Sequence, residues 1–346
     1  MEVIEGKAKI KVCDKVFYNP FSKVLRDIAV STFKAINKKD SIFILDAFTA
    51  TGIRGIRYIL EGNCKASFLD ISENAVKCCK ENLIKNGIEA EVIKSDVNAY
   101  VLSSHVKFNA IEIDPFGSPV PYLWPCIKAL SEKKHSYLSV TATDLQVLCG
   151  LNKNAARKYY QAEIERIASC HEMALRVLIK KIAEIAIEQN AGIVPIISFY
   201  HRHSIKTIVK ILRGDKHARE TLKNIERVAI KDWESGKNEK IIGPLWIGKL
   251  KDNEIVNELE ESNDKSGKII RIIKKELDTL FFYTTEEISK ALKINEPRAI
   301  DIVNALRQNG YKASLTHFSS KGFKTDANFD EVLKLVGKIN EMKMKR

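Results

Sequence analysis

An α/β fold built on a largely parallel sheet, with a smaller α+β unit after it, is what the sequence predicts, and three observations predict it. From residue 42 short β-rich apolar runs alternate with helical patterns. Each of five such runs closes on an Asp: Ile42 to Asp46, Ala66 to Asp70, Glu91 to Asp96, Phe108 to Asp114 and Ser136 to Asp144. Near residue 248 the alternation gives way to two short helical patterns and a ribbon. Strands that alternate with helices pair in parallel through crossovers, and ligands of such sheets bind beyond the carboxyl ends of the strands. The acids therefore line one functional edge.

Between the strands, Gly52 to Gly62 and Ser72 to Gly87 read as helices, the second capped by Ser72 with Glu73 in its first turn and closing at Asn86-Gly87. Ala155 to Gln189 is a long amphipathic pattern ended by Asn190-Ala191-Gly192. Ile193 to His201 and Ile205 to Leu212 lie too close together for a crossover helix, so they predict a final antiparallel hairpin on the sheet. Gly214 to Ser266 is charged and less regular, and the boundary between the units is placed there: residues 1–248 as a catalytic unit with an N-terminal extension, 249–346 as the second. In the latter, Thr285 to Leu292 and Pro297 to Asn309 predict helices, with Thr284 or Thr285 as a cap and Gly310 as a stop. Tyr311 to Thr325 then reads as a β-ribbon, giving a winged-helix type of module.

The 346 residues exceed one typical core, and 45% hydrophobic content excludes a disordered chain. A formal charge of +13 favours a polyanionic partner. The seven Cys form an odd set without a C-x-x-C pair. That argues against a zinc ribbon or a disulfide framework and for reduced thiols in a cytoplasmic protein. No basic-then-apolar leader opens the chain, and no run of roughly 18 apolar residues occurs, so neither secretion nor a membrane is expected.

Asp46-Ala47-Phe48-Thr49-Ala50-Thr51-Gly52-Ile53-Arg54-Gly55 is a strand end, a small-residue loop and a helix start. Small residues let backbone approach a ligand, and a helix N-terminus favours negative charge. The third glycine of a dinucleotide fingerprint is missing. Asp70 ends the second strand, where a carboxylate binds ribose hydroxyls, and Asp96 with the Val97 amide can bond an adenine edge. An adenosine site without a pyrophosphate cradle fits S-adenosylmethionine. Its methionine carboxylate calls for a cation, from Arg54 or Arg26. Asp114-Pro115-Phe116-Gly117 then supplies an acceptor for N–H groups, a restricted backbone and a stacking ring. Guanine presents two adjacent donors, N1–H and N2–H, so a carboxylate suits guanine better than adenine.

The sequence resembles the tRNA guanine-N2 dimethyltransferases that modify guanine 26. The matching segments are Glu5-Gly6-Lys7-Ala8, Val16-Phe17-Tyr18-Asn19-Pro20, Ala50 to Arg57, Asp114 to Pro119, Thr141-Ala142-Thr143-Asp144, Cys170 to Arg176, Gly243-Pro244-Leu245-Trp246, Thr316-His317-Phe318 and Lys324 to Ala327. The resemblance implies a Rossmann-like methyltransferase using S-adenosylmethionine on tRNA, with Arg26, Arg54, Asp70, Asp96 and Val97 at the methyl donor. Asp46 joins that group as the acid of the first loop. Asp114 and Phe116 would hold the guanine, and Phe17 would be the second face of an aromatic sandwich. Many members carry a Cys cluster before Gly-Pro-Leu-Trp, but Gly214 to Ile242 has none, so no metal is expected.

His171-Glu172 begins like a zinc-protease motif, but Leu175 stands where the second His belongs. Adjacent Cys78 and Cys79 on a helix point apart and read as packing. Lys206 to Lys231 and the ribbon around His317, Lys321 and Lys324 are candidate phosphate contacts. Two alternatives remain open: a base-amine methyltransferase for another base or nucleic acid, and a non-catalytic RNA-binding scaffold. A monomer is favoured.

Overall fold

The structure is a computed structural model that describes residues 1–131, 135–231 and 239–344. The chain opens with an antiparallel hairpin, β1 (Glu2–Glu5) and β2 (Ala8–Lys11), and helix α1 (Lys23–Asn37). The main sheet then begins with β3 (Phe43–Asp46), α2 (Ile53–Leu60), β4 (Lys65–Asp70), α3 (Glu73–Lys85), β5 (Val92–Lys94) and α4 (Val97–Ser103). It continues with β6 (Ala110–Ile113), α5 (Val120–Ser131) and β7 (His135–Ala142), followed by α6 (Leu145–Leu148), α7 (Lys153–Tyr160) and α8 (Cys170–Glu188). Strands β8 (Ala191–His201) and β9 (Ser204–Arg213) form the expected hairpin and complete seven strands in the order β5-β4-β3-β6-β7-β9-β8. The first five are parallel, while β9 runs antiparallel to β7 and β8.

Chain direction across the sheet reverses between β3 and β6, which opens a crevice at the ends of those two strands. Asp46 and Asp114 flank it. Successive residues of one strand face opposite sides, and both sides are covered. Leu45, Ile111 and Leu138 pack with α5 and α8, whereas Ile44, Ala110 and Tyr137 pack with α1 and α2. Burial of each such aliphatic side chain contributes about 1.5–3 kcal/mol.

Several expectations need correcting. The pattern from Ala155 to Gln189 is two helices, because Gln161 adopts φ +46° and Glu163 bridges to Gly243. Buried Lys180 donates to the carbonyls of Tyr160 and Gln161 and so closes the exposed end of α7. The 214–266 segment is more ordered than its charge suggests, with α9 (Asp215–Leu222), β10 (Ile225–Lys231), β11 (Glu239–Trp246), α10 (Asn253–Asn257) and α11 (Lys265–Lys275). Its residues 232–238 lie outside the described ones. Cys13 and Cys78 are joined in a disulfide, their Cα atoms 5.9 Å apart, which corrects the reading of uniformly reduced thiols. Packing of β2 onto α3 brings the two together across 65 residues of sequence.

The boundary after residue 248 also cuts through a shared core. Ile255, Val256, Leu259, Ile270 and Ile273 of α10 and α11 are buried with α1, not with the chain that follows. A separate core begins later, among Ile288, Ile302, Leu306, Phe323, Phe329 and Val332. Around it lie helices Thr285–Leu292, Ala299–Gln308 and Phe329–Met344 and a small sheet of Tyr283–Thr284, Gly322–Thr325 and Ala313–Leu315. Thr284 caps the first of these helices in a reciprocal box with Glu287. Among the described residues no helix is long and apolar enough to cross a membrane.

Candidate active site

The loop after β3 is tied to its neighbours by backbone bonds. The Ala47 amide donates to the Glu112 carbonyl, and the Thr49 amide to that of Leu69. Ala50 and Gly52 take positive φ, +46° and +80°, and a Cβ on Gly52 would stand 2.7 Å from Cys79 Sγ. Gly55 is tighter still, since a Cβ there would meet the Phe68 ring at 2.2 Å. These glycines let the N-terminus of α2 sit directly on the strand ends.

Asp46 is buried, and one of its oxygens, Oδ2, accepts from the Gly55 amide at 3.1 Å. The other, Oδ1, has no hydrogen-bond partner. Burial raises the pKa of this carboxyl to about 6, against the opposing pull of Arg54. An unpartnered carboxylate oxygen next to a helix N-terminus fits the ammonium group of a methionine moiety. Asp70 accepts from the Ala50 amide on Oδ2 and the Ser72 amide on Oδ1, both at 2.9 Å. Its remaining lone pairs are thereby aimed, which suits paired hydroxyls. Exposed Asp96 caps α4 through the Ala99 amide at 3.0 Å, and Val97 is the first residue of that helix.

The two arginines expected at the donor each have carboxylate partners within this chain. Arg26 closes a bidentate pair on Glu5, at 2.7 and 2.6 Å, and also bonds the Asn19 carbonyl. Glu5 accepts as well from Arg57 and Tyr18. The first segments of the resemblance, around Glu5 and Tyr18, thus act as a buried clasp holding the N-terminal hairpin on α1 and α2. Arg54 donates through Nη1 to Glu112 at 2.9 Å and through Nη2 to Asp114. It reaches across to β6, away from the small-residue loop.

Glu112 is wholly buried, yet it carries three partners. Besides Arg54 it accepts from Tyr58 Oη at 2.7 Å and from Lys206 Nζ at 2.5 Å, and Lys206 further bonds Thr141 at 3.0 Å. Burial pushes the Asp114 carboxyl up, but the adjacent Arg54 and Lys206 outweigh it and hold the group below its ordinary range. Asp114 is therefore a fixed, ionised acceptor. Glu112 was legible as an acid inside the apolar run Ile111 to Ile113; its partner Lys206 was misread as a phosphate contact. Lys324 and His317 were misread in the same way. Lys324 is buried against Glu172 at 3.0 Å, and His317 pairs with Glu276 at 2.5 Å.

Pro115 is buried, while Phe116 is 79% exposed and Phe17 54%. The two rings meet edge to face, with centroids 4.8 Å apart and planes at 84°. The structure thus brings together the predicted aromatic pair, but as a T-shaped contact instead of an open sandwich. Gly117 is latched to the loop after β7, its amide donating to Thr143 Oγ1 at 2.8 Å and its carbonyl accepting from the Thr143 amide. Tyr160 bonds both Asp144 and Ser118, at 2.8 and 2.9 Å. The Thr141 to Asp144 segment consequently braces the loop that carries Phe116, a role that needed the strand pairing to be seen.

A parallel sheet with its reversal between β3 and β6, a small-residue loop and acids at successive strand ends define an S-adenosylmethionine-dependent methyltransferase of Rossmann-like fold. The model of one family, N2,N2-dimethylguanosine tRNA methyltransferase, matches residues 1–337. The chain is 35% identical to the tRNA (guanine(26)-N(2))-dimethyltransferase of Pyrococcus abyssi, covering 95% of this chain and 97% of that one. It is 34% identical to the enzyme of that name from Methanocaldococcus jannaschii, covering 96% and 95%. The solved complex of Trm1 from Pyrococcus horikoshii with S-adenosyl-L-methionine superposes with a TM-score of 0.88 at 33% identity, over 97% of this chain and 99% of that one. This chain belongs to the N2,N2-dimethylguanosine tRNA methyltransferase family.

Proposed function

We propose that this chain transfers one or two methyl groups from S-adenosylmethionine to the exocyclic N2 of guanine 26 in tRNA, working as a cytoplasmic monomer. The observation that carries the reading is Asp114, held by Arg54 at the end of β6 beside exposed Phe116. The donor, when bound, supplies an electrophilic methyl on a sulfonium. Asp46 Oδ1 would accept from its ammonium, the N-terminal end of α2 would meet its carboxylate, and Asp70 would bond its ribose. Asp96 and the Val97 amide would take the adenine edge. Arg26 and Arg54 act one step back, Arg26 by fixing the N-terminal clasp and Arg54 by fixing Asp114.

An exocyclic base amine is a weak nucleophile because its lone pair is delocalised into the ring. Asp114 accepts N–H bonds from the guanine edge and offsets the positive charge that develops on N2 as it attacks. Its depressed pKa keeps it an acceptor throughout the neutral range. Phe116 stacks on the base, and Phe17 backs it. A guanine stacked within the tRNA must leave its neighbours to reach this point. Residues 277–344, with their own core, and the exposed basic positions Lys216, Lys223 and Lys321 are assigned to the tRNA body.

Asp114→Ala tests the reading. Nucleoside mass analysis of an unmodified tRNA should show no methylated guanine at position 26, while calorimetry shows donor affinity within a few-fold of the parent. Methylation retained by this variant removes Asp114 from the reaction.

A further inference from the structure

His171 was set aside in the sequence because no second His follows at helical spacing, and the methyl-transfer site makes no use of it. The fold surrounds it with other ligands. The Sγ atoms of Cys149 and Cys170 and a ring nitrogen of His171 all lie within 4.8 Å of one another, with Cys149 nearly buried and the other two partly accessible. Cys149 stands at the end of α6, just past Asp144, while Cys170 and His171 open α8. Cys149 Sγ also approaches the Cys170 carbonyl oxygen, at 3.7 Å. The imidazole is fixed by stacking on Tyr200, with ring centroids 3.8 Å apart and planes within 13°.

Two sulfurs and one imidazole form a soft donor set, the composition that selects zinc over magnesium or calcium. Tetrahedral zinc with Zn–S bonds of about 2.3 Å holds its sulfurs roughly 3.8 Å apart, so these three atoms close onto an ion with shifts on the order of 1 Å.

We propose that Cys149, Cys170 and His171 form a site for one soft divalent cation, zinc, with solvent in the fourth position. Binding replaces the two S–H bonds with two metal–thiolate bonds and releases both protons to solvent. The ion clips the end of α6 to the start of α8 and so braces the Asp144 loop behind Gly117.

The full chain, stripped of metal by a chelator and handled anaerobically with the Cys13–Cys78 disulfide closed, is titrated with Co²⁺ and then with Zn²⁺. One equivalent of Co²⁺ should bind with a near-ultraviolet thiolate-to-metal absorption band that Zn²⁺ abolishes. Cys170→Ser and His171→Asn should each weaken Co²⁺ at least tenfold, whereas Cys126→Ser, in the core, should leave it unchanged. Near-ultraviolet circular dichroism of each variant verifies the fold, and His171→Asn suffices where a Cys variant fails to fold. Absence of the thiolate band, or equal Co²⁺ affinity in His171→Asn, overturns the site.

Discussion

Arg54 bridges the buried Glu112 and the catalytic-edge Asp114, one Nη to each carboxylate. The bridge turns a central-strand residue into support for the residue just beyond that strand's end. Planar guanidinium geometry is needed to span both acids, and an ammonium cannot do it. Arg54→Lys should therefore lower the methyl-transfer rate by about 10²–10³, the scale of losing one aimed electrostatic partner. Donor affinity should change little. Single-turnover incorporation alongside calorimetry reads the two separately, and an unchanged rate would remove Arg54 from the positioning of Asp114.

Glu112 neutralises both Arg54 and Lys206, and all three are buried. Glu112→Gln leaves these two cations with Asp114 as a remaining neighbouring carboxylate, and breaking buried pairs in this way typically costs about 3–5 kcal/mol. Urea unfolding should show a loss of that size. A loss below about 1 kcal/mol would mean that solvent reaches this network.

Phe116 is exposed and meets Phe17 edge to face. A guanine must displace this T-shaped contact in order to stack. Phe116→Ala should lower kcat/KM for tRNA by roughly 10–100-fold, in line with about 1–3 kcal/mol for stacking a base on an aromatic ring. Phe116→Tyr should keep most of the activity. Equal kinetics for Phe116→Ala and the parent would separate this ring from the base.

The C-terminal unit meets the end of α11 through Glu276, which pairs with His317 and Lys324 and accepts from Thr316 at 2.6 Å. Burial raises this carboxyl, but the partners prevail and hold its pKa at about 2, below its ordinary 4.5. For a depressed carboxylate, the stabilisation is complete above the unfolded pKa and is lost as pH falls through the folded one. Stability should thus decline from about pH 4.5 toward 2, by on the order of 3 kcal/mol at about 1.4 kcal/mol per unit of pKa. Denaturant midpoints over that range should fall for the parent and stay flatter for Glu276→Gln.

Gly55 has no room for a methyl group, since the Phe68 ring occupies its Cβ position. Gly55→Ala should destabilise by about 1–3 kcal/mol, the usual effect of overpacking. Gly337→Ala, where a Cβ meets nothing within 4 Å, should not. Thermal melts of both variants test the contrast.

Sheet composition was readable along the chain because alternation of apolar runs and helices is a local pattern, and each strand end carries its own Asp. Ser72 and Thr284 likewise announced their helices, since a cap and the amides it satisfies lie within four residues. The break between α7 and α8 was not readable. It depends on Gln161, Glu163 and Lys180 finding partners around Tyr160 and Gly243, and an amphipathic pattern continues across it undisturbed. The Cys13–Cys78 bond was hidden for the same reason, because its partners are 65 residues apart in sequence.

By itself the sequence determined the fold class, the methyl donor and the family these motifs resemble. Only the tertiary structure decided what the charged residues do. Arg26, Arg54, Lys206, His317 and Lys324 have the composition of phosphate and carboxylate ligands, yet each is enclosed with an acid of this same chain. Charge type is a property of the residue, but burial and pairing belong to the fold, and the cost of an unpaired buried charge forces those partners together.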